Sequence, residues 1–98
     1  MKIFEDVTES CVSEPFEFDG PALLFVRGKF SRIASVAVLV SDDPSEEFLE
    51  VATAAGPGVM PIPYRGRYFV QLRFTTDQTF GESCVSVSSN QVVEVAAL

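Results

Sequence analysis

Histidine is absent from the 98-residue sequence. It is the side chain whose ordinary pKa lets it exchange protons near neutral pH, and it is the usual base beside a catalytic serine or cysteine. Serine–histidine and cysteine–histidine pairs are therefore excluded. The sequence also lacks a GxGxxG fingerprint, a phosphate-binding P-loop and a CxxC pair. We predict that the protein is not an enzyme and uses no cofactor.

Basic residues are scarce. Seven Lys and Arg stand against fourteen Asp and Glu, which gives a formal net charge of −7. Nucleic-acid binding depends on neutralising phosphates with cations, so this balance predicts no nucleic-acid partner. An anionic membrane surface is disfavoured for the same reason. The acidic surface instead favours solubility or a protein partner with a basic face.

Long hydrophobic runs are also absent. No run approaches the length of a transmembrane helix, and the first residues, MKIFEDVTES, have acids where a signal peptide has its apolar region. We therefore expect synthesis and function without passage across a membrane through a signal of its own. In such a reducing compartment Cys11 and Cys84 are predicted to be free thiols rather than a disulfide. Two thiols do not complete a zinc site, which needs four ligands.

The sequence does contain many short apolar segments with alternating polarity. The stretch from residue 19 to 43 has two apolar runs, 22–26 and 34–40, each bounded by turn residues. Such runs, and period-two patterns elsewhere, are typical of β-strands. We predict a single all-β domain over residues 1–98, an antiparallel two-sheet β-sandwich of Ig-like or jelly-roll type with seven to nine short strands. The main predicted strands are 22–27, 33–41, 47–53, 67–75, 82–88 and 91–96.

Prolines mark the predicted sheet edges, because proline cannot donate to a strand ladder. Pro15 makes residues 12–18 an edge or broken strand, with Val12, Phe16 and Phe18 on one face. Pro61 and Pro63 confine residues 59–62 to an edge. Residues 1–8 fit either a first edge strand or an N-terminal arm that lies on a partner.

Tyr68 follows a Gly-Arg corner, in the sequence Gly66-Arg67-Tyr68-Phe69-Val70. The segment resembles the tyrosine corner of immunoglobulin-like sandwiches, in which the hydroxyl bonds to backbone a few residues upstream. The alternative is an ordinary half-buried strand tyrosine.

Four carboxylates, at positions 42, 43, 46 and 47, crowd one predicted loop. Calcium prefers oxygen ligands, but the spacing is not that of an EF-hand and Pro44 interrupts it. We therefore interpret this segment as a solvated acidic turn and predict no metal site.

Most of the few cations lie in two turns. One turn surrounds Phe30 and the other surrounds Gly66. An acidic protein that concentrates its cations in turns can use them to orient a partner, and an aromatic residue at a loop tip can fill the centre of an interface. With Phe4 from the possible arm, the predicted partner-binding residues are Phe4, Arg27, Lys29, Phe30, Arg32, Arg65 and Arg67.

Several short motifs occur in a fixed order between residues 19 and 88: Gly28-x-Phe30, Val36-x-Val38-x-x-Ser41-x-Asp43, Phe48, Gly66-x-Tyr68-x-Val70 and Ser83-x-Val85-x-Val87. This order resembles the small β-sandwich virion proteins of tailed bacteriophages that decorate or cement the capsid. The resemblance implies an immunoglobulin-like or jelly-roll fold, self-association, and binding to the protein surface of an assembled shell. It also implies synthesis in the host cytoplasm and a final place in the virion.

A second class of function stays open, namely an Ig-like or carbohydrate-binding recognition module in an adhesive tail or fibre assembly. Sugar sites usually present exposed aromatic side chains. The sequence has no tryptophan, and Tyr64 is the clearest exposed-aromatic candidate. The virion protein is therefore the favoured interpretation.

Overall fold

The computed structural model describes residues 1–77 and 82–91, which form nine β-strands and no helix. The predicted last strand at 91–96 lies almost entirely outside the described residues. Within those residues no helix is long and apolar enough to cross a membrane. The strands are β1 Lys2–Val7, β2 Cys11–Val12, β3 Phe16–Asp19, β4 Ala22–Lys29, β5 Ser35–Ser41, β6 Leu49–Ala54, β7 Gly58–Ile62, β8 Arg67–Thr75 and β9 Cys84–Ser89.

The strands form two antiparallel sheets packed against each other, which confirms the predicted all-β sandwich. The first sheet has the order β1-β9-β4-β7. In the second sheet β5 lies between β8 and β6, and the short strands β2 and β3 both pair with the other side of β8. The edges of the sandwich are therefore β1 with β2 and β3 on one side, and β6 with β7 on the other.

The core lies between the sheets and follows the period-two pattern of the sequence. On β8, the predicted inward residues Tyr68, Val70, Leu72 and Phe74 are all buried. The inward residues of β4 and β9 meet them from the first sheet. Alternation sorts these side chains because successive residues of a strand point to opposite faces. The core is completed by Phe4, Phe18, Ala22, Leu24, Val26, Ala34, Val36, Val38, Ile62, Val85 and Val87.

The segment before Pro15 is a broken edge strand, as predicted, but the predicted face of Val12 is wrong. Between β2 and β3 the chain leaves the ladder, and Ser13 replaces the strand pairing with its own groups. The Ser13 N–H donates to the Leu72 carbonyl at 2.8 Å, and the Ser13 hydroxyl accepts from the Leu72 N–H at 2.9 Å. This break shifts the alternation, so that Cys11 packs toward the core and Val12 faces solvent.

Of the two predicted alternatives for the N-terminal segment, an edge strand and an arm, the structure has the edge strand. Strand β1 pairs antiparallel with β9 of the same chain, and the terminal amine donates to the Ser89 carbonyl at 2.8 Å. Two register shifts interrupt the ladder, and Asp6 adopts a positive φ of 50°. These irregularities let Phe4 enter the core while Ile3 and Val7 pack beside it.

Tyr68 does not form the local corner that the sequence suggests. Its hydroxyl donates to the Gly20 carbonyl at 2.8 Å, and that partner lies 48 residues upstream, in the turn between β3 and β4. The bond ties the start of β8 in one sheet to the start of β4 in the other. Burial, and to a lesser degree the neighbouring Tyr64, raise the pKa of the Tyr68 phenol.

Candidate protein-binding surface

The predicted cations do not form one surface. Strands β4 and β7 run antiparallel with Ala22 opposite Ile62, so the turn with Arg65 and Arg67 lies at the end of the sandwich where β4 begins. The turn with Lys29 and Arg32 follows the other end of β4. The two groups of cations therefore lie at opposite ends of the molecule.

Individual predicted residues also differ in their availability to a partner. Phe4 is buried in the core of its own chain, so its side chain is not on the surface of this fold. Phe30 is half-buried against the core. Arg67 lies 3.8 Å from Glu17 in a solvent-exposed ion pair, which contributes little to stability. Arg27, by contrast, lies on an open sheet face.

That open surface, which we term the exposed β4–β7 face, is the outer side of the first sheet at Leu23, Phe25, Val59 and Pro61. Leu23 pairs across strands with Pro61, and Phe25 pairs with Val59. The side chains of Ala22, Leu24 and Val26 point inward, so these four point outward. Leu23 is 38% exposed and Val59 is 54% exposed. Contiguous exposed apolar side chains of this kind are typical of interaction sites.

Arg27 lies beside the exposed β4–β7 face in a fixed position. Its guanidinium carbon is 5.4 Å from the centre of the Phe25 ring, and it donates to the Ser88 hydroxyl at 3.2 Å. An arginine held over an aromatic ring in this way loses less rotamer freedom when a partner binds. Strands β4, β7 and β9 contain no carboxylate, although the sequence has fourteen. The face is therefore apolar and cationic within an acidic protein.

The free edge of β7 is protected from strand pairing. Leu23 uses its own N–H and C=O toward Asn90, on the side away from β7, so the backbone of its partner Pro61 points out of the sheet. Proline has no N–H to offer there, and Pro63 removes another. A partner at this face therefore contacts side chains rather than extending the sheet. An open cavity of about 430 Å³ continues the face, lined by Leu23, Pro61, Pro63 and Arg65 among others.

The outer side of the second sheet, which we term the covered β5 face, is arranged differently. Ala37 and Leu39 point outward from β5, yet they are only 4% and 8% exposed. Arg73 on β8 donates to Glu50 on β6 at 2.9 Å. Arg73 stands opposite Ala37, and Glu50 opposite Leu39, so the ion pair crosses over β5. Its alkyl stems cover the apolar side chains, as long charged side chains can.

The remaining candidate sites are the two cysteines and the acidic turn. Cys11 and Cys84 are free thiols, and burial raises the pKa of the Cys11 thiol. Asp43 accepts hydrogen bonds from the backbone and hydroxyl of Ser45, which lower the pKa of its carboxyl. These bonds close the acidic turn on itself. Within residues 1–77 and 82–91 no group of three or more Cys, Asp or Glu side chains is arranged to hold a metal ion.

The sequence interpretation missed the exposed β4–β7 face. The run from Ala22 to Val26 is continuously apolar, so its pattern predicts a strand but does not indicate which of its two faces is exposed. Pro61 is the sequence signal that could have indicated this face. It marks β7 as an edge strand, and a short edge strand leaves the neighbouring β4 with less cover. Comparison with protein-family models, curated proteins and solved structures finds no match.

Proposed function

We propose that this protein is a non-enzymatic structural virion protein that binds and stabilises an assembled phage capsid as a homo-oligomeric decoration or cement protein. The observation that carries the proposal is the exposed β4–β7 face, which is apolar, free of carboxylates and flanked by Arg27. Fixed aromatic and arginine side chains around an apolar centre are the features that dominate binding energy in protein interfaces.

The face suits a large, flat partner better than a small ligand. Leu23, Phe25, Val59 and Pro61 lie on a sheet surface, and the small polar side chains of Ser86 and Ser88 continue it across β9. Since each copy would contribute a modest contact area, affinity for a shell would arise from many copies bound to a repeating lattice. The resemblance of the motif order to that of capsid decoration proteins, noted in the sequence, is consistent with this proposal.

The test is co-sedimentation of the purified protein with intact capsids of the phage that encodes the chain. We expect saturable binding with a fixed number of copies per capsid, and capsids that withstand heating or chelation better when coated. Sedimentation of the protein in the same buffer without capsids is the control for aggregation. A protein that stays in the supernatant at every capsid concentration contradicts the proposal.

A second candidate function is glycan recognition by a sandwich module of a tail or fibre. It is supported by Tyr64, whose exposed ring packs edge-to-face on Tyr68 with 5.7 Å between ring centres. Asp42, Glu47 and Arg65 line the same open groove, and planar polar groups beside an aromatic ring suit sugars. Saturable binding to a glycan array, together with no binding to capsids, would favour this second function.

A further inference from the structure

A tight turn at one end of the sandwich presents an apolar side chain to solvent. Residues 31–34 form this turn, which the Ala34 N–H closes by donating to the Ser31 carbonyl at 3.1 Å. Arg32 and Ile33 occupy its two central positions, where glycine, asparagine or aspartate are usual. Ile33 is nevertheless 46% exposed. We term this element the Arg32–Ile33 turn.

The Arg32–Ile33 turn is held rigidly from beneath. Ser31 is buried, its N–H donates to the Ser83 hydroxyl at 2.9 Å, and its hydroxyl lies 3.3 Å from that of Thr76. Gly28, which precedes the turn, has a φ of 114°, and a side chain there would overlap the carbonyl of Cys84. The turn therefore presents Ile33 in a fixed position, which lowers the entropy cost of binding.

The opposite end of the molecule contains an open apolar groove of about 410 Å³. Its apolar lining includes Leu49 and Val51 on β6, Tyr64 in the loop before β8, and Tyr68 near the start of β8. Leu49 is 63% exposed, although it stands opposite the inward-facing Val40. We term this surface the Leu49–Tyr64 groove.

Carboxylate and guanidinium side chains both line the Leu49–Tyr64 groove. Asp42 and Glu47 line it, and the loop that joins β5 to β6 contains four carboxylates and no cation. Among residues 1–77 and 82–91, no Lys or Arg forms an ion pair with Asp42 or Glu47. Arg65 and Arg67 also line the groove, and Arg67 lies 3.8 Å from Glu17. The groove therefore combines an apolar floor with two cations and with two carboxylates, Asp42 and Glu47, that have no ion-pair partner among the described residues.

We propose that the Arg32–Ile33 turn of one copy binds in the Leu49–Tyr64 groove of a second copy. Ile33 would contact Leu49 and Tyr64, and the Arg32 guanidinium would meet Asp42 and Glu47. Arg32 is opposite in charge to Asp42 and Glu47, and Ile33 matches the apolar floor of the groove, which is the complementarity that specific interfaces show. The inference rests on the self-association part of the proposed function and is independent of capsid binding.

The positions of the two elements determine the kind of assembly. The Arg32–Ile33 turn leads into the first residue of β5, and the Leu49–Tyr64 groove lies at its last residue. Turn and groove therefore lie at opposite ends and cannot meet within one chain. The contact is head-to-tail, so each copy keeps one free turn or groove until a ring closes or a filament grows.

The first experiment measures self-association by sedimentation velocity over a range of concentrations, with no capsid present. We expect the parent to form oligomers, and Arg32→Glu and Ile33→Ser each to raise the dissociation constant at least about tenfold, as loss of a central interface contact does. Lys2→Glu and Val12→Ser are the matched controls, since they make the same changes at exposed sites outside both elements. Both controls should associate like the parent.

The second experiment uses the head-to-tail geometry. The double variant Asp42→Lys, Glu47→Lys should also lose self-association, because its groove repels Arg32. An equimolar mixture with the Arg32→Glu variant should regain it, since the reversed turn fits the reversed groove and the two native elements also meet. Thermal melts of every variant should match the parent, because all of these side chains are exposed.

Three outcomes would overturn the inference: a parent that is monomeric at all concentrations, turn variants that associate like the parent, or a mixture that stays as dissociated as its components. Capsid co-sedimentation is measured separately on the same variants. If Arg32→Glu abolishes self-association but the parent binds no capsid, the turn-and-groove contact stands and the capsid function fails.

Discussion

The two outer faces of this sandwich treat exposed apolar side chains in opposite ways. On the covered β5 face, Ala37 and Leu39 lie beneath the ion pair of Arg73 and Glu50 and are almost inaccessible. On the exposed β4–β7 face, Leu23 and Val59 have no such cover. Each face has an interior strand of its sheet at its centre, β4 in one and β5 in the other. Both strands are rich in apolar residues, so composition does not explain the difference.

An apolar sheet face that remains in contact with water needs polar side chains to cover it. Long charged side chains from the two flanking strands can reach over a central strand and shield it. The neighbours of β4 lack such side chains, because the outward positions of β9 are Cys84, Ser86 and Ser88, and those of β7 are Val59 and Pro61. A face left without cover in an otherwise acidic protein is typical of an interaction site, which is the observation behind the proposed function.

Substitutions in the core, which lies beneath both faces, are expected to cause the largest loss in the free energy of unfolding. Leu72 is fully buried between the sheets, and Leu72→Ala should lower the free energy of unfolding by about 2–4 kcal/mol through lost burial and a residual cavity. Chemical denaturation monitored by circular dichroism measures it. An unchanged midpoint would mean that the core is not where the structure places it.

On the covered β5 face we expect a smaller loss. Arg73→Ala removes both the ion pair with Glu50 and the alkyl stem that stands opposite Ala37, and should lower the free energy of unfolding by roughly 0.5–1 kcal/mol. Arg67→Ala is the matched control, since its pair with Glu17 is longer and more exposed. If Arg67→Ala costs as much as Arg73→Ala, the ion pair over β5 has no special role as cover.

On the exposed β4–β7 face the stability change should be smaller still. Val59→Ser removes a side chain that is already largely in water, so the free energy of unfolding should change by less than about 0.5 kcal/mol. Denaturation curves of the variant and parent should superimpose. A loss comparable with that of Arg73→Ala would show that Val59 belongs to the packing of the fold rather than to a binding surface.

The reaction rates of the two thiols offer a further comparison of the two sheets, one that does not depend on a change in stability. Cys84 is exposed on the first sheet, whereas Cys11 is half-buried on the second and burial raises the pKa of its thiol. A raised pKa leaves less thiolate at a given pH, so a disulfide reagent at neutral pH should modify Cys84 faster than Cys11. Mass spectrometry of the peptide that contains each cysteine measures the two rates. Equal rates would contradict the packing of Cys11 toward the core.

The sequence predicts those parts of the fold that depend on local alternation. The bounds of β8 follow from its strict period of two, and the edge position of β7 follows from its prolines. The face of Val12 could not be predicted, because Ser13 breaks the ladder through contacts with Leu72, far away in the chain. The bond from Tyr68 to Gly20 is invisible to sequence patterns for the same reason.

The binding surface was harder to predict than the fold. Cations and loop aromatics suggested a surface, but whether Phe4 and Phe30 lie outside or inside depends on register shifts and on the opposite sheet. Leu23 and Phe25 were hidden in an apolar run whose two faces have different neighbours. The exposure of an apolar strand residue depends on the lengths of the side chains on the adjacent strands. Predicting it therefore requires the strand order, which the sequence alone does not provide.

The most direct test of the central claim is the capsid affinity of three proteins: the parent, the double variant Leu23→Ser, Val59→Ser, and the control Val12→Ser. We predict that the double variant binds at least about tenfold more weakly, as loss of central apolar contacts implies. The control, which is equally apolar and exposed but lies on the second sheet, should bind like the parent. Equal affinities for all three would contradict the assignment of the exposed β4–β7 face as the capsid-binding surface.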